Sequence, residues 1–179
     1  QTDRQGKGSS WQVPDKLHAP IEQQAVLLSD SAAAVDFMRF AKSESARAII
    51  RDSEERILLV QRNDNGKWVM PAGSIELEES ILDCVKREVK EETGLDVISA
   101  TPMAIYSEPR FSFLTSYGDP YQMFAVVFIV DEWAGTLLSE TDETLDARFF
   151  ALDELPEIPD LYVETLEDLK AFDGKMILK

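Results

Sequence analysis

Cysteine and histidine are nearly missing from this chain: each occurs once in 179 residues, as Cys84 and His18. A single cysteine rules out an internal disulfide and fits a reducing compartment, so cytoplasm is the expected location. No apolar run approaches the length that spans a bilayer, and no secretory apolar core is visible. Positive charge is scarce as well, with 18 Lys and Arg against 34 Asp and Glu and a net charge of -16. Nucleic-acid backbones and anionic membranes are attracted chiefly by Lys and Arg, so neither polymeric nucleic acid nor a membrane is an expected partner. A small phosphate ligand stays open on one condition: metal ions must bridge negative protein to negative ligand.

What is present is an ordinary globular balance, 44% hydrophobic and 29% charged residues, enough at this length for one core without staples. Residues 1–43 read as an N-terminal extension, polar at first and with a short helix expected over 32–41; it is also the place to look for a homodimer contact. Residues 44–179 read as the main domain. Apolar runs at 46–50 and 57–60, joined by the polar stretch 51–55, suggest a β-hairpin. Asn63, Asp64, Asn65 and Gly66 form a turn cluster before a short strand at 68–70. A helix is expected over 80–93, a strand over 97–106, a loop over 107–120, a long buried strand over 121–130, another strand at 147–151 and a helix over 161–172. Strands interleaved with two well-separated helices predict an α/β fold, a mixed sheet covered by helices.

The helix at 80–93 carries the chemistry. At about 100° per residue, Ile81, Leu82, Val85 and Val89 share an arc that reads as the core stripe, and Glu88, Glu91 and Glu92 crowd the edge of that arc. Glu88 meets Glu91 at i+3 and Glu92 at i+4, while Cys84 and Val85 occupy the matching upstream positions, so no lysine balances it at helical contact distance. Such like-charge pairs cost roughly 0.2–0.5 kcal/mol when exposed and approach ~4 kcal/mol each when partly buried at about 4 Å. A divalent cation removes that repulsion, and Mg2+ suits hard oxygen ligands that also bridge to phosphate. Gly94 supplies the left-handed residue that ends the helix.

Residues 73–95 match the Nudix box, G-x5-E-x7-R-E-U-x-E-E-x-G-U with U apolar, at Gly73, Glu79, Arg87, Glu88, Val89, Glu91, Glu92, Gly94 and Leu95. Chance produces so many defined positions in roughly one start per hundred million. The chain therefore resembles the Nudix hydrolases from about residue 45 onward, which implies the Nudix fold, a mixed β-sheet sandwiched between helices. The resemblance further implies that Glu88, Glu91 and Glu92 ligate Mg2+ or Mn2+, that the Ala72 carbonyl and Glu79 complete the metal shell, and that Arg87 orients the carboxylates. The implied reaction is attack of water on phosphorus in a nucleoside diphosphate-X compound. With His18 outside the resemblance, the general base is expected to be a carboxylate: Glu91 or Glu92 in the helix, or a loop acid, with Glu140 ahead of Glu143.

Arg62 is a candidate phosphate contact, and Tyr106 and Phe111, among a cluster that includes Phe113, Tyr117 and Tyr121, are candidates for stacking on a base. Pro109 lies fourteen residues beyond Leu95, near though not at the place where ADP-ribose-cleaving members carry a proline. The expected substrate is a small nucleotide, first a (d)NTP cleaved to monophosphate and pyrophosphate. ADP-ribose or another sugar nucleotide is the alternative within the same chemistry, and a nucleotide-sensing module without turnover is the alternative outside it.

Overall fold

The computed structural model describes residues 46–114 and 120–179, with the side chains of 113, 114, 120 and 121 left aside. The helix expected over 32–41, His18 and Tyr117 lie outside the described residues. In chain order the elements are β1 (Ala46–Ile49), β2 (Ile57–Arg62), β3 (Trp68–Val69), β4 (Ala72–Gly73), α1 (Ile81–Thr93) and β5 (Asp96–Tyr106). A 3-10 turn (Pro109–Phe111) follows, then β6 (Ser112–Leu114), β7 (Pro120–Gln122), β8 (Ala125–Ala134), β9 (Thr144–Phe150), α2 (Asp160–Ala171) and β10 (Ile177–Leu178). A five-stranded sheet runs β10-β5-β8-β1-β4, a three-stranded sheet β3-β2-β9, and β6 pairs with β7.

The expected hairpin between 46–50 and 57–60 is corrected. The chain does reverse there, with Leu58 N–H donating to the Ile50 carbonyl at 2.9 Å and a bridge between Arg51 and Ile57. Yet β1 pairs with β8 in parallel and with β4 antiparallel, while β2 pairs with β3 and β9 in the other sheet. Every residue of β1 is buried, which a strand sandwiched on both faces requires and a free hairpin arm does not. The reversal at 50–57 is thus a corner between sheets.

The strand expected over 121–130 is likewise two strands. Residues 120–122 pair with β6, Met123 N–H donates to the Phe111 carbonyl at 3.1 Å, and Phe124 is exposed before β8 begins its pairing with β5 and β1. The stretch 107–120 holds the 3-10 turn and β6, not loop alone.

Side-chain alternation along β1 places the two helices. Arg47 donates from Nη1 to Thr165 of α2 at 3.1 Å, and Tyr106 on the same face reaches Asp168 of α2. Ala46, one residue away, pairs with Gly73, and Glu88 of α1 lies over that glycine. Successive strand residues face opposite ways, so α1 and α2 cover opposite faces of the five-stranded sheet. No helix among the described residues is long and apolar enough to cross a membrane.

The end of α1 depends on Gly94, whose φ is 75° and whose N–H donates to the Lys90 carbonyl. A Cβ built there would sit 2.6 Å from Leu138. Gly94→Ala should therefore destabilise the fold by about 1–3 kcal/mol, combining left-handed strain with that close approach; urea unfolding of both forms checks it.

Candidate active site

Helix α1 starts at Ser80, whose Oγ accepts from the Asp83 N–H at 3.1 Å and donates to the Asp83 carboxylate at 2.6 Å. Its buried side is Cys84, Val85, Glu88, Val89, Glu92 and Thr93. The expected core stripe is shifted: Leu82 is 37% exposed, while Glu88 and Glu92 are 8% and 4% exposed. The helix is rolled so that carboxylates, not leucine, meet the edge of the sheet. Short strand β4 receives them there, with the Ala72 N–H donating to Glu92 Oε2 at 3.0 Å.

Arg87 binds the remaining acids together. Its Nε and Nη2 donate to the two oxygens of Glu79 at 2.9 and 3.0 Å. Its Nη1 is shared between Glu88 at 2.7 Å and Glu91 at 2.9 Å, and Nη2 also reaches the Ser74 carbonyl at 2.9 Å. Glu79 in turn accepts from the Glu76 N–H at 2.9 Å. The hydrogen bond from Arg87 is the main cause that holds the Glu79 carboxyl below the usual glutamate range. Burial acts oppositely on the helix acids. It pushes the Glu88 carboxyl up against the pull of Arg87, and it pushes Glu92 well up, with the charges of Glu88 and Glu143 adding to the effect. Burial also drives the Cys84 thiol up to about 12, which leaves it an inert packing group.

Among the described residues no three acidic, histidine or cysteine side chains converge as a metal cage, because Arg87 stands between Glu79, Glu88 and Glu91. The donor set nevertheless fits a hard divalent cation: all-oxygen, negative in excess of the one guanidinium, and partly desolvated. Gly73 shows that the space is built for a carboxylate. A Cβ at Gly73 would fall 1.9 Å from the Glu88 carboxyl carbon, so only glycine lets Glu88 lie over this backbone.

The loop before β9 supplies a further acid. Asn63 N–H donates to the Glu143 carbonyl at 3.2 Å, Asn63 Nδ2 to the Asp142 carbonyl at 2.7 Å, and Thr144 Oγ1 to the Glu92 carbonyl at 3.1 Å. These bonds fasten the loop against the end of α1. Burial is the main cause of the raised Glu88 and Glu92 carboxyls, and the charge of Glu143 adds a minor push to both.

Arg62 grips Asp64 through two 2.9 Å bonds, and its charge is felt at Glu92. Tyr106 is corrected from stacking candidate to core residue: it is fully buried, and its hydroxyl donates to Asp168 at 2.6 Å. Phe111 is half-buried and packs on Tyr106 with centroids 5.3 Å apart. Sequence reasoning missed Arg47 and the Asp168–Lys179–Glu164 group. A charged residue inside the apolar run 46–50 was a visible signal for Arg47, whereas the partners of Lys179 lie 11 and 15 residues away with no periodic relation.

Two outcomes follow from the burial of these acids. Glu88 and Glu92 titrate above the ordinary range in the fold, so their favourable contribution is complete below the ordinary glutamate range and lost as pH rises through the raised values. In metal-free protein, Glu92→Gln should raise Tm at about pH 7.5 and flatten the pH dependence of Tm from about pH 5 upward, read by scanning calorimetry. Gly73→Ala should displace Glu88 and weaken divalent-ion binding by about tenfold or more, read by isothermal titration with Mn2+.

Comparison with known proteins agrees with this geometry. The model of the NUDIX domain matches residues 41–172; a model of bacterial extracellular solute-binding proteins matches only residues 1–53 and supports no assignment for the chain. The ADP-ribose pyrophosphatase of Methanocaldococcus jannaschii is 32% identical over 134 residues, 73% of this chain and 68% of that protein. The NAD-capped RNA hydrolase NudC of Vibrio vulnificus is 34% identical over 107 residues, 59% of this chain but only 37% of that protein. Among solved structures, an ADP-ribose pyrophosphatase from Streptococcus suis superposes with a TM-score of 0.56 at 28% identity, covering 78% of this chain and 99% of that one. A MutT Nudix hydrolase from Burkholderia pseudomallei gives 0.59 at 26% identity, covering 72% and 97%. With its box assembled at the junction of α1 and β4 and the family model covering most of its length, the chain belongs to the Nudix hydrolases, a family of enzymes that generally use divalent metal ions.

Proposed function

We propose that this Nudix hydrolase cleaves the pyrophosphate bond of a nucleoside diphosphate-X compound, with ADP-ribose-like sugar nucleotides ahead of (d)NTPs. The observation that carries the reaction class is the pair of buried, like-charged carboxylates Glu88 and Glu92 beside a glycine that clears space for one of them. The order of substrates reverses the sequence-based expectation. It is supported by the relative and the solved structure named for ADP-ribose pyrophosphatase activity, both of which this chain spans by two thirds or more. The charge of -16 still disfavours a long RNA substrate, even though some relatives are named for capped RNA.

Glu88, Glu91 and Glu92 would hold Mg2+ or Mn2+, with Glu79 and the Ala72 carbonyl completing the shell. When bound, the ion supplies Lewis-acid polarisation and charge relief at the bridging phosphate oxygens. Arg87 keeps Glu79, Glu88 and Glu91 within one constellation through its four shared bonds. A carboxylate takes the proton from the attacking water, and Glu143 replaces Glu140 as the preferred loop residue because its charge reaches both buried glutamates. The water oxygen bonds to phosphorus, the anhydride P–O bond breaks, and its electron pair leaves with the departing phosphate. Arg62, paired with Asp64, would share its guanidinium with a substrate phosphate.

A panel of ADP-ribose, other sugar nucleotides and (d)NTPs, assayed with Mg2+ and Mn2+, tests this reading. Glu91→Gln and Glu92→Gln should each lower kcat about a hundredfold or more, and Glu143→Gln should cost more than Glu140→Gln. Turnover unaffected by both helix substitutions would sink the metal assignment. Nucleotide binding without turnover on any substrate would favour the sensing module instead.

A further inference from the structure

The pairing of β2 with β9 changes register at the end nearest α1. From Ile57 opposite Phe150 to Gln61 opposite Asp146 the partners step one for one, but Arg62 stands opposite Thr144, so Leu145 is an extra residue on β9. Successive side chains of a strand face opposite ways. Counted back from buried Ala147, regular pairing would turn Leu145 inward and Thr144 outward. The bulge reverses both: Leu145 is 52% exposed and Thr144 only 1%. Burying the leucine and exposing the threonine would be the more stable choice, so packing does not account for the exchange. Bulges beside active sites re-aim a side chain.

Hydrogen count fixes what the re-aimed hydroxyl does. Thr144 Oγ1 donates its one proton to the Glu92 carbonyl at 3.1 Å. In the 3.0 Å contact between the hydroxyls of Thr141 and Thr144, Thr141 is therefore the donor. Thr141 Oγ1 in turn accepts from the N–H groups of Glu143 and Thr144, both at 3.2 Å. One directed chain thus runs from the Glu143 amide through two hydroxyls to the carbonyl of a box glutamate, and bonds in such a chain polarise one another. Its endpoint is one of the carbonyls that a helix end leaves without an intrahelical partner. The next, that of Thr93, takes the Leu138 N–H at 2.9 Å. Residues 138–144 accordingly clamp the last turn of α1 at two successive carbonyls.

The span between those two anchors carries Glu140, Asp142 and Glu143. Asn63 holds the carbonyls of Asp142 and Glu143 from the β2 side. The backbone of Glu143 is thus fixed at both its N–H and its carbonyl, while the residue stays exposed and its charge reaches Glu88 and Glu92. Valine in place of Thr144 keeps the branched shape but leaves the Glu92 carbonyl without its donor and Thr141 without its acceptor.

We infer that Thr144, re-aimed by the bulge and linked through Thr141, is a positioning residue that registers the acid-bearing loop, and Glu143 in particular, against the box helix. Its consequence for rate rests on the proposed hydrolysis, but one readout needs no turnover. In amide hydrogen exchange of the full chain followed by NMR, Thr144→Val should cost the amides at 143 and 144 about tenfold in protection, and Thr144→Ser should keep it. With the best substrate of the panel and Mg2+, Thr144→Val should lower kcat about tenfold at nearly constant KM, and Thr144→Ser should recover it. The loss should vanish when Glu143→Gln is already present. Wild-type kcat in Thr144→Val, or a loss that multiplies with that of Glu143→Gln, overturns the positioning role while wild-type turnover upholds the hydrolase reading. If wild type hydrolyses nothing in the panel, the hydrolase reading falls and hydrogen exchange decides the clamp by itself. Unchanged protection in Thr144→Val then removes it, and protection lost in Thr144→Val but kept in Thr144→Ser supports it.

Discussion

Buried like charge at the junction of α1 and β4 is the constraint around which the rest of the domain is arranged. Glu88 and Glu92 lie almost out of solvent, on the side of the helix where apolar residues would pack more cheaply. Three features make the arrangement tolerable without a bound ion: the guanidinium of Arg87 beside Glu88, the Ala72 N–H on Glu92, and the absence of a side chain at Gly73. The first belongs to α1 and the other two to β4. The helix roll, the short edge strand and the glycine turn therefore form one unit, and a change in any of them moves the carboxylates.

The sheet places chemistry on both of its faces. Strand β1 is fully buried because α1 covers one side and α2 the other, and its single arginine faces α2. This explains a buried cation in an otherwise apolar run: Arg47 is surrounded by Thr165, Met123 and the Tyr162 ring, whose centroid is 4.3 Å away. The acids of the box are on the α1 face, and a network rich in paired charge is on the α2 face. A sheet separates the two sets of acids.

The fold differs from a simple strand-by-strand reading wherever pairing depends on partners far along the chain. The run 46–50 and the run 57–60 are adjacent and apolar, which is all a hairpin needs locally; their true partners, β8 and β9, lie about 80 to 90 residues onward. In the same way, the apolar stretch from 121 looks continuous, and only a change of partner, β6 for its first part and β5 and β1 for the rest, divides it in two. Leu82 and Cys84 exchange burial for a related reason: the apolar moment of α1 is overruled by the geometry that brings Glu88 over Gly73.

The reaction class was legible from the chain through its resemblance to the Nudix box. That motif is readable because its residues lie within one helix and the turn before it, where 3.6 residues per turn put Glu88, Glu91 and Glu92 on one side wherever the helix is placed. Gly73 and Gly94, at either end of the motif, were legible for the same reason. Tertiary structure decided everything that joins distant segments. It turned Tyr106 from a candidate ligand contact into a buried donor to Asp168, tied the Glu143 backbone to Asn63, and set Arg110 between Glu108 and Glu164, which lies 54 residues away. Such pairings have no period in sequence, since they are fixed by which faces of the sheet the two helices cover.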